Sequence, residues 1–179
     1  MVLEGKTVNL RVMEREDVDF EVVCYNEQGF WSDYLPIVEQ SSKSERMKSF
    51  DNQTMFGKLF VIQKKDGTRI GFIHHRTNQP YGTTEIGYFL LPNERGKGYG
   101  TEAVQLMVDY LFLSKDIVRI EAGTNVGNKA SQRVLEKACF KIEGTLRKVA
   151  FDRGVWTDHY IHSILREEWK EPKILTRVT

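Results

Sequence analysis

The sequence predicts an α/β domain of the α+β kind, and three observations carry that reading. Short apolar runs between residues 59 and 91 are separated by turn residues, the pattern of an antiparallel meander. From Thr101 the spacing becomes helical, with Ala103, Val104, Met107, Val108, Leu111 and Phe112 on one face. Two further runs, 140–149 and 155–165, then flank Asp152-Arg153-Gly154 as a closing pair of strands.

In chain order, residues 6–13 alternate loosely, placing Val8, Leu10 and Val12 on one side of an extended segment. Glu14-Arg15-Glu16-Asp17 is a helix start, because acidic groups favour the exposed amide end. Phe20 and Val23, with Tyr25 or Phe30 beyond, supply part of an apolar stripe. Gly29 and Pro36 interrupt it, so a broken helix-loop-helix is expected to about residue 53. Phe30, Trp31 and Tyr34 fall at that break, where aromatics either line a pocket or pack on the sheet. The meander runs from Leu59 to Gln63, turns at Asp66-Gly67, returns over Arg69–His74 and continues from Thr84 to Leu91. After the long helix come a strand at Val118–Ala122 and a helix over 128–137, sealed by Val134, Leu135 and Ala138. Both faces of the last two strands carry apolar groups, so protein is expected to cover both, with Trp169 closing the edge. Beyond Glu171-Pro172 a short tail is expected. Nothing marks a boundary, so residues 1–179 read as one domain with its core over about 6–169.

The 179 residues are 40% hydrophobic, enough for a substantial core. Twenty-six Lys and Arg against twenty-five Asp and Glu leave a net charge of +1, without the broad positive field of a dedicated nucleic-acid binder, so no direct DNA binding is expected. No apolar run approaches the roughly 18–20 residues that span a bilayer, and the opening residues lack the pattern of a signal peptide. Cys24 and Cys139 form no redox or disulfide framework; the expectation is two reduced, buried cysteines in a cytoplasmic protein. His74 and His75 are adjacent and point to opposite faces of a strand, as do His159 and His162, so no metal centre is expected.

The sharpest feature is Arg95-Gly96-Lys97-Gly98-Tyr99-Gly100 between an apolar strand and an amphipathic helix. Alternating glycines permit a tight path with amides facing inward, and the helix that follows opens with unpaired N–H groups. Arg95 and Lys97 can add charge-assisted contacts to an anion at its edge. A Walker A loop does not fit, because Gly98 rather than Ser or Thr follows Lys97. A dinucleotide fingerprint does not fit either, because Thr101 stands where its last glycine belongs. A solvated glycine turn is the bland alternative.

This arrangement resembles the GNAT superfamily of N-acetyltransferases, whose signature is Gln or Arg, two variable residues, Gly, one variable residue, then Gly or Ala; Arg95, Gly98 and Gly100 match it. Ile86-Gly87-Tyr88-Phe89, the 92–103 segment, Asn125, Asn128, Ala130, Ser131, Phe140 and Leu165-Arg166-Glu167-Glu168-Trp169 are similar to the RimJ/RimL ribosomal-protein acetyltransferase branch. The resemblance implies the GNAT acyl-CoA N-acyltransferase fold, a mixed, mostly antiparallel central sheet flanked by helices. It implies acetyl-CoA as co-substrate without a metal, its pyrophosphate on Arg95, Gly96, Lys97, Gly98, Tyr99, Gly100 and Thr101, and its pantetheine arm beside Phe89, Leu90 and Leu91. Asn128 resembles a cofactor contact and Ser131 a helix serine near the thioester sulfur; each also suits a helix cap.

For the amine, Glu85 at the start of the strand entering the site is the candidate proton acceptor, directly or through water, though it also reads as a solvated strand-end carboxylate. Trp31, Tyr34, Asp158 and Tyr160 are candidate acceptor-site residues, the last equally a core or pocket-wall tyrosine. Asp152 is a weaker acidic candidate beside its role in a hairpin turn. Cys139 reads as core. The acceptor implied is a primary amine, foremost a peptide or protein N-terminal α-amine, with polyamines, small amines and aminoglycosides as competitors and a noncatalytic acyl-CoA-binding module as the different-class alternative. The C-terminal strands fit either a homodimer contact or internal packing.

Overall fold

The computed structural model describes residues 2–27, 29–31, 33–34, 40–52, 58–78 and 83–174; Pro36, expected to break the first helix, lies outside them. The strands are β1 (Val2–Glu4), β2 (Val8–Val12), β3 (Lys58–Lys64), β4 (Arg69–Asn78), β5 (Thr83–Leu90), β6 (Arg119–Asn125), β7 (Lys141–Asp152) and β8 (Val155–Leu165). They form one sheet in the order β1-β2-β3-β4-β5-β6-β8-β7. Every neighbouring pair is antiparallel except β5 and β6. The helices are α1 (Val18–Asn26), α2 (Lys43–Asn52), α3 (Tyr99–Ser114) and α4 (Lys129–Lys137). This is the mixed, mostly antiparallel sheet flanked by helices that the sequence implies.

Alternation along the strands builds two apolar layers. On one face α3 lays Ala103, Val104, Met107, Leu111 and Phe112 against Phe60, Ile73, Ile86 and Ile120, with Leu135 of α4 beside them. Each fully buried side chain of this kind contributes about 1.5–3 kcal/mol. On the other face Val18, Cys24 and Phe30 meet Val61 and Phe72, with Trp31 and Phe89 at the margin. The meander turns at Asp66-Gly67 as expected: Gly67 has φ +86°, and Asp66 Oδ1 accepts from the Thr68 amide at 2.9 Å.

Two clamps fix the helices that matter for the site. Glu102, in the first turn of α3, accepts from the Lys6 and Thr7 amides and the Thr7 hydroxyl. A Cβ on Gly5 would lie 2.5 Å from that carboxylate, so the β1–β2 turn needs glycine there. At the start of α1, the buried Asp17 accepts from Arg11 at 2.6 and 2.7 Å, from Arg69 at 3.3 Å and from the Glu14 amide at 2.9 Å.

Three expectations are corrected. The N-terminal segment carries an additional strand, β1, because Val2–Glu4 pairs back on Asn9–Arg11. Cys24 is buried but Cys139 is exposed: the chain leaves α4 through Cys139 at φ +67°, and this reversal turns the thiol out and Phe140 in. The closing hairpin is not covered on both sides. Ile142, Leu146, Val149, Phe151, Val155 and Trp156 are exposed, Trp156 by 57%, because β7 is the sheet's outer strand and no described helix reaches the hairpin tip. The tail does not hang free over its described part, since Asp109 accepts from the Trp169 indole at 2.8 Å and the Ile174 amide at 3.0 Å. Among the described residues no helix is long and apolar enough to cross a membrane.

Burial pushes the Asp17 carboxyl up, but hydrogen bonds from Arg11 and the Glu14 amide outweigh it and hold the group below the ordinary aspartate range. Because the native pKa is depressed, the stabilisation is complete above the unfolded value and is lost as pH falls below about 4. Asp17→Asn is therefore expected to lower stability at pH 7 by about 2–4 kcal/mol and to flatten the acid limb; urea denaturation at several pH values checks both, and an unchanged limb would refute the assignment.

Candidate functional site

Strands β5 and β6 pair only at Thr84–Ile120 and Glu85–Glu121. Beyond those pairs they part, while β5 stays in register with β4 as far as Leu90 and β6 with β8 as far as Asn125. The Leu91 amide donates to Ile70 on β4, so by alternation Tyr88 and Leu90 turn their backbone groups toward the opening. Phe89 and Leu91, grouped with Leu90 as cofactor contacts from sequence, turn their backbone to β4 instead, the Phe89 carbonyl toward Gly71 and the Leu91 amide to Ile70.

The glycine loop sits at the end of β5. Pro92–Glu94 forms a 3-10 turn, and α3 begins at Tyr99, two residues before the expected start. Gly96 and Gly98 adopt φ +76° and +89°, values that favour glycine, and a Cβ on either would meet nothing within 4 Å. Gly100 differs: it has no positive φ, and its Cβ position lies in ordinary contact with Leu90 at 3.4 Å and Val134 at 3.7 Å, which marks where α3 packs on β5 and α4. No side chain caps α3, and among the described residues no protein acceptor takes the backbone N–H groups from Gly96 to Thr101. Such uncapped amides at a helix start are a ready anion cradle. Tyr99 packs against the main core, and Thr101 is half-buried on the first turn.

The charged loop residues depart from expectation. Arg95 donates to the carbonyls of Leu90 at 3.1 Å, Gly29 at 2.9 Å and Phe30 at 2.6 Å, so it fastens the loop rather than offering its guanidinium at the phosphate edge. Lys97 pairs with Glu94 at 3.0 Å, which also meets Lys64 at 3.3 Å.

Across the opening, Asn128 caps α4 through its side chain, accepting from the Ser131 amide at 3.1 Å. The Ser131 hydroxyl lies 2.8 Å from the Tyr88 hydroxyl, joining α4 to β5. Burial pushes the Tyr88 phenol up to about 12, against the Ser131 hydrogen bond, so it keeps its proton at neutral pH. Tyr88 was absent from the sequence-based site; the signal was its parity with Ile86, which puts a tyrosine among core residues where its hydroxyl needs a partner.

Glu85, Gly87 and Phe89 occupy the other face of β5. Glu85 is half-buried, and its Oε2 accepts from Arg76 at 3.1 and 2.8 Å and from Asn78 at 3.0 Å. Trp31 packs edge-on to Phe89 at 5.0 Å and donates its indole N–H to the Tyr25 carbonyl at 3.0 Å. Tyr34 reaches the β6–α4 loop, where a Cβ on Gly127 would lie 2.8 Å from its ring. Tyr160 is on the opposite face from Trp31, beside His162 at 6.3 Å, and Asp158 accepts from the Lys148 amide of β7 at 2.8 Å. The four acceptor candidates therefore do not converge. Asp152 is buried beneath Asn125 and Thr157, which donate to its Oδ2 at 3.2 and 2.5 Å. Among the described residues no cluster of His, Cys, Asp or Glu is arranged to hold a metal.

Residues 7–141 match the family model described as an acetyltransferase (GNAT) domain. The chain is 35% identical to the probable N-acetyltransferase YjcK of Bacillus subtilis strain 168, over 93% of this chain and 98% of that protein. The solved structure of RimL, a ribosomal L7/L12 α-N-protein acetyltransferase in complex with coenzyme A, shares the fold at TM-score 0.83 and 19% identity, covering 94% of this chain and 99% of that one. Spermidine N-acetyltransferase from Vibrio cholerae, solved with CoA and spermine, does so at TM-score 0.79 and 22% identity, covering 90% and 96%.

Gly98→Val places a β-branched residue at a left-handed backbone position, a strain of about 1–2 kcal/mol that is relieved by moving the loop that holds the free amides. We expect the Kd for coenzyme A to rise at least about tenfold while the C-terminal sheet stays folded. Calorimetry with a circular-dichroism control measures both, and parental affinity in the variant would count against the cradle.

Proposed function

Because this chain belongs to the GNAT acetyltransferase family, we propose that it transfers acetyl from acetyl-CoA to a primary amine, foremost the α-amine at the N-terminus of a peptide or protein. The observation that carries the reading is the run of unpaired amides from Gly96 to Thr101 at the mouth of the β5–β6 opening. The residues present fit the co-substrate: uncapped N–H groups suit a diphosphate, and the Tyr88 backbone and Leu90 amide, turned toward the opening, suit an amide-bearing arm. Bound there, acetyl-CoA supplies the acyl group as a thioester. For the acceptor, the support is the similarity of the 86–103 and 165–169 segments to the RimJ/RimL branch and the α-N-protein activity named for RimL.

The chain's own residues divide the work by face. On the α3–α4 face, the Ser131–Tyr88 hydroxyl pair stands ready to give a proton to the departing sulfur. On the opposite face, Trp31 and Phe89 form an apolar wall, with Glu85 and His74 farther along the same strands. An amine approaches from this side, so nucleophile and leaving group meet through a sheet one strand thick. The amine must lose its proton before it attacks, which a half-buried site beside an apolar wall favours by disfavouring the ammonium form.

An acceptor panel containing N-terminally free peptides, polyamines, small amines and aminoglycosides tests the reading, with CoA release and acceptor mass measured together. Amine-dependent acetyl transfer to α-amino peptides is expected; binding of acetyl-CoA without turnover on any amine would identify a binding module instead. Within the active protein, Ser131→Ala is expected to lower kcat by about 10–100-fold with little change in KM, as for loss of a group acting only as the bond breaks.

A further inference from the structure

His74 belongs to none of the roles assigned so far. It lies on β4 opposite Gly87, two positions along β5 from the last residue paired with β6. A Cβ on Gly87 would fall 2.5 Å from His74 Cε1 and 2.9 Å from Nε2, so the imidazole lies across the glycine backbone. Only glycine leaves that room. The ring stacks on Phe89 at 6.3 Å and 21°, and Phe89 in turn contacts Trp31.

The nitrogens distinguish this histidine from its neighbour. His75 faces the core beside Phe60 and Tyr110, and its Nε2 is buried without a partner. His74 makes no hydrogen bond among the described residues, and its ring is half-buried where that of His75 is buried. The carboxylate next along the face is engaged through one oxygen: Glu85 Oε2 accepts from Arg76 and Asn78, while Oε1 has no hydrogen bond among the described residues. Of the two groups, the imidazole lies farther into the opening, opposite Gly87 and past the last β5–β6 pair, of which Glu85 is a member.

We propose that His74 is the proton acceptor for the amine, receiving the ammonium proton on the β4–β5 face where β5 and β6 separate. This rests on the amine-acetyltransferase reading above. The imidazole lone pair takes one proton from R–NH3+, leaving R–NH2. The freed nitrogen pair forms the N–C bond at the thioester carbonyl, and the C–S bond breaks with its electrons going to sulfur. The second proton lost by nitrogen replaces, through water, the one that the Ser131–Tyr88 pair gives to sulfur. The products are the N-acetyl amine, the CoA thiol and one proton, which His74 passes to solvent. Burial and the charge of Arg76 lower the His74 pKa, opposed by Glu85; the α1 side adds the buried ion pair of Glu21 with Arg46 beside its apolar residues. The ring is thus neutral and able to accept at pH 7.

The test compares His74→Gln, Glu85→Gln and Gly87→Ala, the last of which crowds the ring from below. For a peptide acetylated by the parent protein, kcat/KM in the parent should rise with pH along a limb below the ordinary histidine value of 6.5. His74→Gln should lose about 100-fold or more at pH 7 and abolish that limb, with melting temperature and coenzyme A affinity unchanged. Gly87→Ala should reduce turnover and shift the limb. Independently of turnover, NMR of the labelled imidazole should show His74 titrating below the ordinary histidine value and moving when unacetylated peptide is added with coenzyme A. Retention of the limb by His74→Gln, with its loss in Glu85→Gln, would transfer the role to Glu85 and overturn the proposal. A parent protein that acetylates no amine would instead remove the functional reading itself.

Discussion

The parallel contact between β5 and β6 is two residue pairs long, and the site is a consequence of that brevity. β5 is bound along its other edge to β4 and β6 to β8, so neither strand can swing in to close the opening without breaking a longer ladder. The backbone groups left unpaired on β5 must meet water or a ligand, because burying them alone costs more than the hydrogen bond they forgo. The opening is therefore held by the whole sheet, and its polar lining is backbone, independent of which side chains a particular acceptor requires.

Placing two glycines on β5 and at the start of α3 makes the opening usable from both faces. At Gly100, α3 packs against Leu90 and Val134, which sets the helix start at the end of the strand. Gly87 lets the imidazole of His74 cross β5 on the other side. Between them the alternation of Tyr88 and Phe89 sends one aromatic to Ser131 and the next to Trp31. Adjacent residues thus serve opposite faces of one strand, and a donor hydroxyl and an acceptor imidazole can stand on either side of a single reacting centre.

The parts legible in the sequence are those encoded locally. Asp66-Gly67 specifies its turn through a positive φ, Asn128 its cap through a short side chain three residues from Ser131, and the glycine loop its shape through Gly96 and Gly98. What was not legible depends on partners distant in the chain. Arg95 resembles a phosphate ligand until residues 29 and 30 are seen to supply its acceptors. Tyr88 and Ser131 are 43 positions apart, and only their faces in the fold bring the hydroxyls together. The closing hairpin looked buried because β7 and β8 are apolar on both parities; strand order, which periodicity does not encode, puts β7 on the outside.

The fastening of the loop also explains how a nearly neutral protein can present an anion site. Arg95 is tied to three carbonyls, Glu94 to Lys64 and Glu102 to the β1–β2 turn, so the charged side chains around the cradle are engaged with the protein. Their effect is to hold the segment from Gly96 to Thr101 in one conformation with its amides free. Donors fixed in advance need no reorganisation when charge arrives, whereas flexible lysines would have to be ordered at each binding event. The attraction is then delivered by dipoles at close range rather than by net charge, which leaves the amine face, a strand's thickness away, free to favour a neutral nucleophile.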